Sequence, residues 1–312
     1  MAEPLISICI PTRNRWYTLK HTLNSIIIQK EFLDKKVEII ISDNKSNDET
    51  EIEVKKLCKK FENIHYYKNQ ENIWWNPNIF KALTLWSWTY LRPLWSDDII
   101  LKWWLKLMCS AISDNPTLVL SKRCKETDLN EKLEFKLNTF HWFSDFATYV
   151  WYNYQWLNWG ITAEDRDSFF TFMSIFCYKK DHFKKSYKHL IKLIWEKKLS
   201  LHTFNFSLIA YNQLFSSDII KVLESPRMIG LIPNVMWWTP WIHLYKDLKW
   251  EIKYLANNYY ISNNCRNALK RLLYVWKMAW ILTPIRDFFR KFGLMKIYNF
   301  CSERYRRKRW YL

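Results

Sequence analysis

Leu94-Trp95-Ser96-Asp97-Asp98-Ile99 is the stretch on which the reading of this chain turns. Two acids stand side by side after a strand read from Thr89 to Leu94, so a buried strand is expected to deliver both carboxylates to its carboxyl end. Two earlier runs end the same way. Leu5 to Ile10 leads into Pro11-Thr12-Arg13-Asn14, and Val37 to Ile41 leads into Ser42-Asp43-Asn44. Helical spacing fills the gaps between them: Leu19, Leu23, Ile26 and Ile27 share a face over 17–29, and Ile52, Val54, Leu57 and Phe61 follow a capping Asp48. A strand over 64–67, a helix over 77–85, a helix over 102–113 and a strand over 117–121 continue the alternation. Such repeats of strand and helix predict an α/β fold with a mostly parallel sheet covered by helices on both faces. Ligands of these sheets sit beyond the carboxyl ends of the strands. One crevice can therefore collect all three polar clusters.

Beyond residue 121 the pattern loosens. Residues 122–160 are aromatic without a clear period and read as an insertion over the crevice. A strand is expected over 170–178, then helices to about 213 and a strand over 219–223; after Lys246 the pattern is helical and basic. The 312 residues carry a net charge of +18. Much of it is local, since residues 266–312 hold 13 Lys and Arg against 2 Asp and Glu, which suits an anionic surface. Seven widely spaced cysteines with no Cys-x-x-Cys pair read as reduced thiols, not as a disulfide frame or zinc site. The amino terminus reads as a strand and not a signal peptide, and no apolar run is long enough to span a membrane. A cytoplasmic protein is expected.

The composition contains an anomaly. Twenty tryptophans accompany three glycines, whereas average usage would place roughly 22 glycines in a chain of this length. The tryptophans also stand in glycine settings. Trp74-Trp75 lies in the polar loop Asn72-Ile73-Trp74-Trp75-Asn76-Pro77, Trp86 and Trp88 follow a helical pattern, and Trp95 directly precedes the acids. Translation of a UGA codon as tryptophan, where the cell inserts glycine, accounts for both the number and the placement. A truly tryptophan-rich protein is the alternative.

Four motifs taken together resemble family 2 glycosyltransferases of the GT-A fold: residues 7–15 (Ser-Ile-Cys-Ile-Pro-Thr-Arg-Asn-Arg), 39–48 (with Asp43, Asn44, Ser46 and Asp48), Asn72 to Asn76, and 94–99. The strict match covers about a third of the chain, continues more weakly through Tyr178, and is similar to the abequosyltransferase-like branch, which builds cell-surface polysaccharides. That family commonly has glycine at the positions of Trp74, Trp75 and Trp95. Its Asp-x-Asp motif starts where this chain has Trp95, so Asp97 is the surviving second acid. The resemblance implies residues 1–245 as the catalytic domain, with a nucleotide-binding half to about 121 and an acceptor-side half over 122–245. Residues 246–312 are expected to be a helical basic extension.

What each residue would do follows from its chemistry. Asp43, after a buried strand, suits the N–H of a uracil-like base; a turn-forming Asp is the plain alternative. Asp97 with Asp98 offers hard oxygen ligands to Mg²⁺ or Mn²⁺, which stabilises a departing diphosphate; a helix cap is the alternative. Pro11, Thr12, Arg13, Asn72, Asn78, Lys81 and Ser96 complete the expected nucleotide-sugar site. An inverting transfer also needs a base for the acceptor hydroxyl. His202 is preferred, with Asp165 second and His243 third, although a packed histidine explains His202 equally well. The expected partners are a nucleotide-diphospho-sugar donor, a glycan or lipid-linked acceptor and an anionic membrane surface at the cell's inner face, with no nucleic acid. A dehydrogenase and a P-loop enzyme lack their glycine motifs here, even when every Trp is read as Gly. A nucleotidyltransferase lacks its glycine-rich loop, and a basic, aromatic-rich nucleic-acid binder is the non-enzymatic rival.

Overall fold

The computed structural model describes residues 5–85, 87–122, 137–141, 174, 176–196, 219–226 and 228–230. All of them belong to one compact unit, built from Met1–Phe143 and Ser168–Trp237. The expected boundary at 245/246, the basic extension, and the candidate bases Asp165, His202 and His243 lie outside the described residues.

The first half alternates as the apolar runs demand. Strand β1 (Ile6–Thr12) leads to helix α1 (Trp16–Ile27) and the short α2 (Lys30–Leu33); then come β2 (Val37–Asp43), α3 (Thr50–Lys60), β3 (Ile64–Lys68), α4 (Trp75–Ala82) and β4 (Tyr90–Pro93). Strands β1 and β2 are buried at every position, as strands covered on both faces must be. Leu19, Leu23 and Ile26 of α1 are fully buried on one face, at the helical spacing that produced the helix. Helix α3 carries Glu51 and Glu53 in its first turn and Lys59 and Lys60 in its last, in line with its dipole.

The remaining elements are β5 (Asp98–Ile100), α5 (Trp104–Ala111), β6 (Leu118–Lys122), β7 (Leu137–Phe140), β8 (Phe176–Lys179), α6 (Lys180–Trp195), β9 (Ile220–Pro226) and β10 (Met228–Gly230). Among the described residues the main sheet runs β3-β2-β1-β4-β8-β6-β9-β7. Its β3-β2-β1-β4 half is parallel throughout, and β6 pairs parallel to β9. Strand β8 runs antiparallel to both β4 and β6, and β7 runs antiparallel to β9. The sheet is therefore mixed but mostly parallel.

Two expectations need correction. The stretch over 122–160 is not all loop: Leu137–Phe140 forms β7, whose partner β9 lies some 80 residues on, beyond the reach of a local period. Asp97 and Asp98 do not end a strand either. β4 stops at Pro93, residues 94–97 turn, and Asp98 opens β5, which pairs antiparallel with β10 so that Asp98 faces Gly230.

Candidate functional site

In a sheet ordered β3-β2-β1-β4, the chain progresses outward from β1 to β3 and then crosses back to β4. The switch point lies between β1 and β4, and that is where α/β sheets bind ligands. Among the described residues, one ion pair spans it. Arg15, just after β1, donates to Asp97, just after β4, at 3.0 Å, with both side chains partly exposed. Arg13, the basic residue expected there, has an exposed side chain.

One strand over, the register sets Thr12 beside Asp43. Asp43 is fully buried. Its Oδ1 accepts the Ser46 backbone N–H at 2.9 Å and the Ser46 hydroxyl, while Oδ2 accepts the Tyr66 hydroxyl from β3. Burial and the adjacent carboxylate both push the Tyr66 phenol far above its ordinary range, so it stays protonated and donates to Asp43. A carboxylate has about four lone-pair sites, so these bonds leave Asp43 acceptor capacity. The Thr12 hydroxyl is buried beside it and, among the described residues, has no hydrogen-bond partner. Pro11 is buried within β1, beyond the last residue pair that β1 makes with β4.

The two neighbouring acids differ in setting. Asp97 is partly open to the crevice, but Asp98 is buried and accepts the Ser174 hydroxyl at 2.7 Å. Ser174 also accepts the Trp95 backbone N–H at 3.0 Å, tying down the turn that presents Asp97. Ser96, between them, is buried. Beneath the turn the fully buried Arg92 stacks 4.0 Å over the Trp104 ring, donates to the Ser174 carbonyl and to the Ser121 hydroxyl, and is lowered to about 10 by burial. Among the described residues no three His, Cys, Asp or Glu side chains converge as a metal cluster. A divalent ion at Asp97 would take most of its oxygens from a diphosphate and water, which suits Mg²⁺ and its preference for few protein ligands.

The loop from Asn69 to Asn78 closes the β2–β3 side. Asn72 and Asn78, expected to meet the donor, both bond to other protein groups. Asn78 is buried, accepts the Ser42 hydroxyl at 2.9 Å and the Asn69 amide at 2.9 Å, and donates to the Ser42 carbonyl at 3.0 Å. Asn72 accepts from Asn44 at 2.7 Å and from the Trp74 N–H at 3.1 Å. Lys81 is exposed near the end of α4. Trp75 reaches across to stack on Trp95, ring centroids 6.4 Å apart, so two indoles link this loop to the acid-bearing turn. Motif reading did not single out Arg15, Asn44, Tyr66, Asn69 or Ser174 for a role. Arg15, Asn44 and Ser46 do stand inside the quoted motifs, so a signal for them existed; Tyr66, Asn69 and Ser174 had none.

A sheet whose order reverses between β1 and β4, with Asp43, Thr12 and an Arg15–Asp97 pair at those strand ends, is an α/β fold of the kind that takes ligands at its switch point. The chain belongs to glycosyl transferase family 2, whose sequence profile matches residues 7–180, more than half of its length. It is similar to the abequosyltransferase RfbV of Salmonella typhimurium, 38% identical over 126 residues that cover 39% of this chain and 37% of that protein. The match thus spans little more than a third of the relative's length. Among solved structures, S. aureus TarS 1-349 superposes with a TM-score of 0.59 at 17% identity, covering 86% of this chain and 70% of that one. TarS 1-349 in complex with UDP-GlcNAc gives the same TM-score at 16% identity, covering 86% and 72%. The mannosyltransferase PcManGT of Pyrobaculum calidifontis, in complex with GDP-Man and Mn²⁺, has a TM-score of 0.56 at 13% identity, covering 88% and 70%. At these identities the structural likeness concerns the fold. It is the GT-A sheet with flanking helices.

Proposed function

We propose that this chain transfers a sugar, with inversion, from a nucleotide-diphospho-sugar to a glycan or lipid-linked acceptor of the cell surface. The carrying observation is the Arg15–Asp97 pair across the switch point, one strand from the buried Asp43. Asp43 accepts an N–H of the base, and a uridine nucleotide is favoured because uracil offers an N–H flanked by two carbonyls. The unpartnered Thr12 hydroxyl lies alongside as a further nucleotide contact. Arg15 and Arg13 supply positive charge for the diphosphate. Asp97 holds Mg²⁺ or Mn²⁺, with Asp98 adding buried negative charge behind it; when bound, the ion neutralises charge on the departing diphosphate.

The acceptor's proton needs a base within hydrogen-bond reach of the reacting hydroxyl. His202 or Asp165 takes that role in this reading. The solved relatives with UDP-GlcNAc and with GDP-Man and Mn²⁺ support a nucleotide-sugar donor and a divalent ion. The test is a screen of nucleotide sugars with Mg²⁺ and Mn²⁺, read as release of free nucleoside diphosphate. Turnover of one donor, lost on chelation, is the expected result. Release from none of them, with the folded protein in hand, would overturn the assignment.

A further inference from the structure

The loop over 72–75 is held by a residue that the proposed chemistry does not use. Asn44 follows Asp43 directly, is buried, and its backbone N–H donates to the Thr12 carbonyl at 2.9 Å. Its amide makes four further bonds. Oδ1 accepts the Asn69 amide at 3.0 Å and the Ile73 N–H at 2.9 Å; Nδ2 donates to Asn72 Oδ1 at 2.7 Å and to the Trp74 carbonyl at 3.0 Å. Both lone pairs and both N–H groups of the amide are engaged. Three of the four bonds grip consecutive loop residues.

The grip has a backbone consequence. The Ile73 N–H and the Trp74 carbonyl both point at the one amide, while Asn72 Oδ1 takes the Trp74 N–H. Meeting these demands places residue 74 at φ 66°, ψ 166°. That region belongs almost wholly to glycine, because a β-carbon collides there with its own backbone. Trp74 occupies it with an indole that is 74% exposed and so gains little packing in return.

We propose that Asn44 is a positioning residue: its amide fixes the 72–75 loop and makes position 74 a glycine site, so the wall beside Asp97 is shaped by Asn44. The role at the donor rests on the functional reading above. In the chain as written, the link runs through Trp75, which begins α4 and stacks on Trp95 beside the acids. Asn44→Asp keeps the shape and both acceptances, but turns both donations into repulsions between oxygens.

The full chain and its variants at 44 and 74 are compared by thermal unfolding and by calorimetric binding of UDP with Mg²⁺. Trp74→Gly should raise Tm by about 2–4 °C or more, and Trp74→Ala by clearly less, since alanine keeps the β-carbon. In the Asn44→Asp background that Gly–Ala gap should vanish, because the loop is no longer held to positive φ. Asn44→Asp should weaken UDP binding about ten- to a hundredfold per folded molecule. With whichever donor supports turnover, it should raise KM and leave kcat nearly unchanged, as lost ground-state binding does. An equal gain from Gly and Ala with Asn44 present, or UDP binding indifferent to Asn44→Asp, would overturn the proposal. If the wild-type chain binds no nucleoside diphosphate, the functional reading and the donor role fall together, and the Gly–Ala comparison still decides whether Asn44 sets the loop.

Discussion

Adjacent residues with the same side chain have been given different work. Asp97 meets Arg15 at the crevice, whereas Asp98 is turned inward onto Ser174. Asp97→Asn should cut metal-dependent turnover by about a hundredfold or more, with little change in Tm, because the side chain is partly exposed. Asp98→Asn should instead destabilise the fold by about 1–3 kcal/mol, seen as a lower Tm. If Asp97→Asn leaves turnover and metal dependence intact, the metal does not sit there. The acids themselves were legible in the sequence, since each ends or follows an apolar run. Their partners were not. Tyr66 and Ser174 lie 23 and 76 residues from the acids they hold, and only the strand order brings them close.

Strands also carry chemistry away from the crevice. At the opposite, amino-terminal end of the sheet, Glu38 of β2 is buried and accepts the Ser7 hydroxyl from β1 and the Ser87 hydroxyl at 2.9 Å, and faces His65 of β3 at 3.3 Å. Burial works to raise its pKa, but the bonds from His65, Ser7 and Ser87 prevail and hold it below the ordinary 4.5. A carboxylate depressed in the folded state stabilises fully above its unfolded value, and that contribution fades as pH falls through the lower folded value. Tm should therefore decline below about pH 4.5. Glu38→Gln should cost about 1–3 kcal/mol at neutral pH and flatten part of that acid limb; parallel Tm–pH curves for the two proteins would remove Glu38 from the account. Local patterning revealed β1 and β2 because each is a largely apolar run. It missed β7, whose Leu-Asn-Thr-Phe has no such run and becomes a strand only by pairing with β9.

For the whole molecule, the tryptophans decide most. The glycine-type backbone at Trp74 agrees with glycine at that position in the natural protein. Residue 74 alone carries about 1–3 kcal/mol of backbone cost, a sizeable share of a typical domain's stability. A variant with Gly at 74, 75, 86, 88 and 95 should melt higher and turn over faster than the chain as written. Identical Tm and activity would refute this, as would tryptophan at 74, 75 and 95 in peptides of the natural protein. The basic extension from Arg266 makes a separate prediction, since each Lys or Arg near an anionic lipid surface contributes about 1 kcal/mol. Full-length protein should float with anionic liposomes, and a chain ending near Asn264 should not. Equal flotation of the two would remove the extension as an anchor. Among the described residues no helix is long and apolar enough to cross a membrane.

By itself the sequence determined the alternating elements, the parallel half of the sheet and the strand end bearing Asp43, because apolar runs and helical spacing are local properties of the chain. Tertiary structure alone decided which of two adjacent acids faces the crevice, which arginine crosses it, and that the asparagines of the 69–78 loop grip each other and the backbone. Those outcomes depend on long-range strand order and on competition among many donors for few buried acceptors, which no stretch of sequence records.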